Sequence, residues 1–71
     1  MKVVAFADQL DYDNSGDFVK CMYCEKKMLI GKGRERCPEC GTVGMLDWID
    51  NEHQECSIEE IEKMGYEVVV K

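Results

Sequence analysis

The chain has 71 residues, 34% of them charged, and a formal net charge of -6 at pH 7. A chain of this length forms one domain, and such a domain buries only about 60% of the surface that its unfolded chain exposes. The acidic balance argues against a general nucleic-acid binder, which normally presents a basic face. The five cysteines are therefore the first candidates for the additional stabilisation that a small fold needs.

The composition of the first residues predicts a cytoplasmic protein. Only a short apolar run, residues 3–7, precedes an acidic stretch, so we expect no secretory signal. No segment approaches the roughly 18 apolar residues of a membrane span, so we expect no membrane association. In a reducing compartment, cysteines bind metal more often than they form disulfides, and an odd number of cysteines agrees with this.

The first half of the chain reads as short strands separated by turns. Residues 3–7 are prone to β-structure, residues 11–16 are a cluster of turn formers, and residues 18–20 form a short strand. Residues 27–30 are predicted to be a strand, followed by a turn at residues 31–33. Residues 42–49 are interpreted as another strand, with apolar side chains on both faces.

The C-terminal residues contain a helix followed by a strand. Ser57 and Glu60 have the spacing of a capping box, which predicts a helix over residues 58–64 with Ile58, Ile61 and Met64 on one face. Gly65 supplies the left-handed stop. Residues 66–70 read as a strand, and the sequence leaves open whether this strand pairs with residues 3–7.

Two Cys-x2-Cys pairs predict one tetrahedral metal site. A two-residue insert turns both sulfurs of a pair toward one point, and four thiolates without an open position are typical of structural zinc. In the second pair, Pro38 fixes φ and Gly41 permits the turn. The first pair has Glu25 where that glycine would stand, so either Glu25 adopts the turn conformation with some strain or the turn differs. The predicted zinc ligands are Cys21, Cys24, Cys37 and Cys40.

The motifs Cys-x2-Cys at residues 21–24 and Cys-Pro-x-Cys-Gly at residues 37–41, followed by a strand, resemble a zinc ribbon of the rubredoxin-like group. The resemblance covers residues 18–50 and implies antiparallel β-hairpins with two zinc knuckles at their tips. The expected fold class is thus a small metal-bound α+β domain spanning residues 1–71, a rubredoxin-like ribbon with a C-terminal helix-strand extension at residues 51–71. The resemblance defines the site and leaves the role open.

Iron is the alternative metal, because rubredoxin itself holds iron in four cysteines and transfers single electrons. In rubredoxins the two knuckles are separated by a much longer connection, and both carry the following glycine. Here 12 residues separate Cys24 from Cys37, and the first knuckle lacks the glycine. These departures favour zinc over iron.

Two further motifs resemble functional sites, but each has a simpler structural explanation. Residues 11–18 match the first half of an EF-hand loop, but the twelfth position is Met22 within the first knuckle, which favours an acidic turn. His53 and Cys56 are close enough in sequence to form a ligand pair or a nucleophile with its base. We favour Cys56 as an apolar residue packed at the helix start and His53 as part of a solvated loop.

The function predicted from these features is non-enzymatic. We expect a zinc-stabilised module that binds another protein through its acidic C-terminal segment or its exposed hairpin and that has no small-molecule substrate. The alternative is a nucleic-acid-binding ribbon with Tyr23 or Trp48 as stacking residues; an iron electron carrier is third. The basic side chains of that alternative, which also offset the negative charge of a four-thiolate zinc site, are Lys26, Lys27, Lys32, Arg34 and Arg36.

Overall fold

Six strands and one α-helix make up the part of the chain that the structure, a computed structural model, describes, which is residues 2–71. A single 3-10 turn (Ala7–Gln9) follows the first strand. The fold is thus small, of the α+β class and mostly made of strands. The strands are β1 (Lys2–Ala5), β2 (Ser15–Cys21), β3 (Lys27–Ile30), β4 (Leu46–Trp48), β5 (Glu55–Ser57) and β6 (Glu67–Val70), and the helix is α1 (Ile58–Lys63).

All six strands belong to one sheet in the order β4-β2-β3-β1-β6, with β5 also paired to β2. β2 and β3 form an antiparallel hairpin, whereas β1 runs parallel to both β3 and β6. The other side of β2 is divided: β5 pairs with its first half and β4 with its second half. The C-terminal segment therefore supplies strands at two places in the sheet: β5 pairs with β2, and β6 pairs with β1.

The sheet separates two apolar cores. α1 lies over the first core, where Phe18 and Tyr66 meet edge to face with ring centroids 5.5 Å apart. The second core lies on the opposite face and includes two of the four predicted ligands. The buried residues of the first core are Val3, Ala5, Phe18, Leu29, Cys56 and Ile61, and those of the second are Val19, Cys21, Met28, Ile30 and Cys37.

The predicted capping box is present at the start of α1. The Ser57 hydroxyl accepts a hydrogen bond from the Glu60 amide (3.2 Å), and the Glu60 carboxylate accepts one from the Ser57 amide (3.1 Å). Cys56 and Ile61 both lie in the first core, as expected of a hydrophobic staple. The helix is one residue shorter than predicted, because α1 ends at Lys63 with Met64 as its C-cap, and the Met64 side chain is exposed.

The structure also changes the bounds of one predicted turn and one predicted strand. The turn at residues 11–16 is shorter, because β2 already begins at Ser15. Gly16 lies within β2, where a Cβ atom would overlap the carbonyl oxygen of Ile30 and approach Leu10 Cδ2 to 2.7 Å. The strand at residues 42–49 is reduced to β4 and one bridge between Arg36 and Val43, since Gly44 has φ of +80° and interrupts the extended backbone.

The pairing that the sequence left open is a parallel ladder between β1 and β6. In this register Val3 is opposite Val68 and Val4 is opposite Val69. β5 was missed altogether, since residues 51–55 looked like a solvated loop. Within residues 2–71, no helix is long and apolar enough to cross a bilayer.

Candidate metal centre

The first knuckle is the connection between β2 and β3. Cys21 is the last residue of β2, and its carbonyl accepts a hydrogen bond from the Glu25 amide at 2.7 Å. The Cys21 amide donates to the carbonyl of Lys26 at 3.1 Å. Glu25 has φ of +63°, so of the two alternatives that the missing glycine left open, the structure has the strained turn.

The second knuckle repeats this backbone turn without regular strands around it. The Gly41 amide donates to the Cys37 carbonyl at 2.7 Å, and the Cys37 amide donates to the Thr42 carbonyl at 2.9 Å. Gly41 has φ of +78°, which a glycine adopts without a steric cost. The hydrogen bonds occur at the same sequence offsets as in the first knuckle, so the two knuckles are equivalent turns.

The four predicted ligand sulfurs converge. Their Sγ atoms all lie within 4.8 Å of one another. The Cys21–Cys40 and Cys24–Cys37 Sγ pairs are both 3.7 Å apart. With zinc–sulfur bonds of about 2.3 Å, neighbouring sulfurs of a tetrahedron are about 3.8 Å apart, so the sulfurs have the spacing of a tetrahedral metal site. Within residues 2–71, this is the only group of three or more His, Cys, Asp or Glu side chains gathered in this way.

The site is buried on one side and open on the other. Cys21 and Cys37 are fully buried within the second core, Cys24 is half-buried, and Cys40 is exposed. The Cys37 sulfur also contacts the sulfur of Met28, at 3.9 Å. A metal ion at this position would therefore join the core to the protein surface, and both short sulfur contacts link one knuckle to the other.

The surroundings of Cys37 and Cys40 shift the pKa values of these two thiols in opposite directions. Burial raises the pKa of the Cys37 thiol to about 12. The Thr42 hydroxyl, 3.3 Å from the Cys40 sulfur, lowers the pKa of Cys40 to about 6. A bound divalent cation stabilises the thiolate form of every ligand and so removes this difference. The donor set fits a metal ion that would be held by four thiolates.

Glu39, between the cysteines of the second knuckle, connects three segments of the chain. Its carboxylate lies 3.4 Å from Lys26 Nζ in the first knuckle and 2.7 Å from Lys71 Nζ beyond β6. The hydrogen bond from Lys71 holds the pKa of Glu39 below its usual range. The side chain of Glu39 is only 13% exposed, so these contacts are better screened from water than an ordinary surface pair.

The predicted basic side chains lie at both ends of β3, and three of them have partners within the chain. Lys26 precedes β3 and is paired with Glu39, whereas Lys32 follows β3 and lies 3.0 Å from Asp11. Arg36 donates to the carbonyl of Gly41 at 2.9 Å. Each of these three basic side chains thus contacts a carboxylate or carbonyl group of the same chain, and they lie at different ends of the hairpin.

The carboxylates of residues 11–17 do not converge on an ion site. Asp13 accepts a hydrogen bond from the Ser15 hydroxyl at 2.6 Å, and Asp17 accepts one from the Gly33 amide at 3.0 Å. Asp11 is paired with Lys32. The segment is an acidic turn leading into β2, as we favoured over an EF-hand.

His53 and Cys56 have separate partners. The Cys56 thiol donates to the His53 carbonyl at 3.2 Å and is buried in the first core. The His53 ring is on the surface, with Nδ1 2.9 Å from a carboxylate oxygen of Asp50. Neither side chain belongs to the sulfur cluster. Cys56 lies in β5 between polar Glu55 and Ser57, and this alternation of polar and apolar residues was the one local indication of a strand.

Comparison of the chain with models of protein families, with curated proteins and with solved structures finds no match. The assignment of a metal centre therefore depends on the chain itself. Two equivalent knuckles bring four thiols to tetrahedral spacing, and this arrangement is that of a metal-binding module.

We predict that Glu25→Gly stabilises the metal-loaded protein. Glycine removes the cost of the left-handed conformation at residue 25, and its greater freedom in the unfolded chain offsets part of that gain, so we expect about 1 kcal/mol. Gly41→Glu is the matched control and should destabilise by a similar amount. Denaturant unfolding of the zinc-loaded variants measures both effects, and changes of the same sign would contradict the equivalence of the knuckles.

The second prediction concerns Cys56 and alkaline pH. Burial raises the pKa of this thiol from 9.0 to about 11. Above pH 9 the unfolded chain ionises Cys56 while the folded chain does not, so folding stability falls as the pH rises through this window. The free energy of unfolding of wild type, relative to Cys56→Ser, should decrease between about pH 9 and 11 and stay level below. A level difference throughout would show that Cys56 ionises freely in the folded protein.

Proposed function

We propose that this protein is a rubredoxin-like zinc ribbon in which one structural zinc ion holds a surface for a protein partner. The observation that carries the proposal is the convergence of four sulfurs from two equivalent knuckles. A shell of four thiolates leaves no coordination position for water or substrate, which supports a structural role over a catalytic one. The residues that would hold the zinc are Cys21, Cys24, Cys37 and Cys40.

The position of the site supports a role for the metal in stabilising the fold. Residues 31–45 connect β3 to β4, and their only β-pairing is the bridge between Arg36 and Val43. Structural zinc contributes roughly 10–16 kcal/mol of apparent binding free energy in small peptides. That amount is large relative to the stability of a small domain, so metal binding supplies the order that this irregular segment lacks.

The surface beside the metal site is apolar. Met22 and Tyr23, the two residues between the first pair of ligands, are 53% and 70% exposed. The Met22 amide donates to the Met45 carbonyl at 2.7 Å, which brings exposed Met45 next to them. We call Met22, Tyr23 and Met45 the knuckle surface. Tyrosine and methionine are enriched in protein interfaces, and apolar side chains grouped on a surface mark binding sites.

A nucleic-acid-binding ribbon is less well supported. Tyr23 has the exposure that base stacking requires, but Lys26 and Lys32 are already paired with carboxylates of the same chain. The net charge of -6 adds a repulsion between the protein and phosphate. The knuckle surface therefore fits an apolar protein partner better than a polyanion.

The metal part of the proposal predicts one zinc per chain and unfolding on chelation. Native mass spectrometry of the purified protein should show a single Zn²⁺, and an excess of chelator should remove amide-exchange protection from Cys21 to Cys24. Cys40→Ser should weaken zinc binding by at least about 100-fold because it removes one thiolate. Cys56→Ser is the matched control and should retain the metal. If protein expressed in iron-rich medium contained a red, reversibly reducible iron centre, the assignment of zinc would be wrong and the metal would be iron.

The partner part predicts that binding depends on the knuckle surface. With the zinc-loaded chain as bait, Tyr23→Ser should reduce recovery of a protein partner at least about tenfold and leave the zinc content unchanged. Tyr12→Ser is the matched control, because Tyr12 is fully exposed and lies beyond the opposite end of β2 from the knuckle. Recovery of nucleic acid and no protein at physiological salt would overturn the proposal.

A further inference from the structure

β6 is an edge strand whose outer side has no paired strand within residues 2–71. Its partner is β1, and the sheet order ends at β6. Lys71 extends this ladder, since its amide donates to the Ala5 carbonyl at 2.8 Å and its carbonyl accepts from the Ala7 amide at 3.1 Å. Backbone groups of successive strand residues point to alternate sides. The amides and carbonyls of Val68 and Val70 therefore point outward, away from β1.

The sequence of this edge is complementary to itself. Residues 67–71 read Glu-Val-Val-Val-Lys. When two copies run antiparallel with Val69 opposite Val69, Glu67 of each copy faces Lys71 of the other. The outward-pointing Val68 and Val70 then face each other as hydrogen-bonded pairs, which gives four backbone hydrogen bonds across the two-fold axis. We propose that β6 joins two copies of this chain into a dimer through this register.

Both faces of the extended sheet support the register. On the face of the first core, Val68 is half-buried and Val70 is 56% exposed, so the valines of the two copies would bury apolar surface against each other. On the other face, the two Val69 side chains meet at the axis with an opposite-charge pair on each side. Cross-strand pairs of these kinds are stabilising. A register with Val68 opposite Val68 would place Glu67 opposite Val69 and lose both charge pairs.

The other end of the sheet does not have this property. β4 (Leu46–Trp48) is also an edge strand, but the antiparallel self-pairing that uses all three of its residues places Asp47 opposite Asp47. Like charges directly opposite each other destabilise a strand pair. Self-association is therefore expected at β6, and the dimer leaves the knuckle surface, which follows β2 and precedes β4, available to a partner. The inference does not depend on the proposed function.

A short strand pair buries less than the roughly 1,200 Å² of the smallest stable interfaces, so the dimer is expected to be weak and concentration-dependent. Sedimentation equilibrium of the zinc-loaded chain, from about 10 µM to about 1 mM, measures it. Val70→Pro should shift the equilibrium to monomer, because proline removes an outward amide and leaves the ladder to β1 intact. Unchanged zinc content and circular dichroism confirm that this variant remains folded.

Charge exchange tests the register. Glu67→Lys places lysines opposite each other and should raise the dimer dissociation constant at least about tenfold. Lys71→Glu should do the same, and because Lys71 also pairs with Glu39 in the second knuckle, its zinc content must be unchanged for the result to count. A mixture of these two single variants should dimerise, because every facing pair is then of opposite charge, and the double variant should dimerise with itself. The proposal is overturned if wild type stays monomeric to about 1 mM, if Val70→Pro leaves the dimer intact, or if the mixed variants do not associate.

Discussion

The convergence of four thiols from two equivalent turns is the constraint on which the rest of the structure depends. One turn ends the regular hairpin of β2 and β3, and the other lies in an irregular segment with a single bridge. Cys21 and Cys37 belong to the second core as well as to the sulfur cluster. Burial raises the pKa of the Cys37 thiol to about 12, which favours the neutral thiol; a bound metal ion would instead stabilise the thiolate and fix the irregular loop to the core.

The features predicted correctly from the sequence are those set by residues close together in the chain. The capping box needs only Ser57 and Glu60, and comparing two five-residue motifs already gave strain at Glu25 as one of two alternatives. The convergence of the cysteines was predictable for the same reason, because each pair is a local turn. Predicting that the two pairs form one site required one assumption, namely that both pairs bind the same metal ion.

The features that the sequence did not predict depend on contacts between distant segments. β5 exists because three residues complete the free side of β2, and nothing within residues 51–57 indicates that neighbour. Gly16 looked like a turn residue, yet its lack of a side chain serves the close approach of Ile30. The parallel ladder of β1 and β6 is likewise set by the packing of Val3 and Val68 into the first core. Short strands gain most of their stability from such neighbours, so local propensity is a weak guide to them.

Lys71 physically connects the metal centre with the free edge of the sheet. Its ammonium lies 2.7 Å from the carboxylate of Glu39 in the second knuckle and 5.9 Å from the centre of the Phe6 ring. The same ammonium faces Glu67 of the second copy in the proposed dimer. Because one cation then serves two carboxylates, an ordered Glu39 fixes the position of Lys71 for pairing across the axis. Any resulting coupling is reciprocal, so metal binding that favours association would itself be favoured by association.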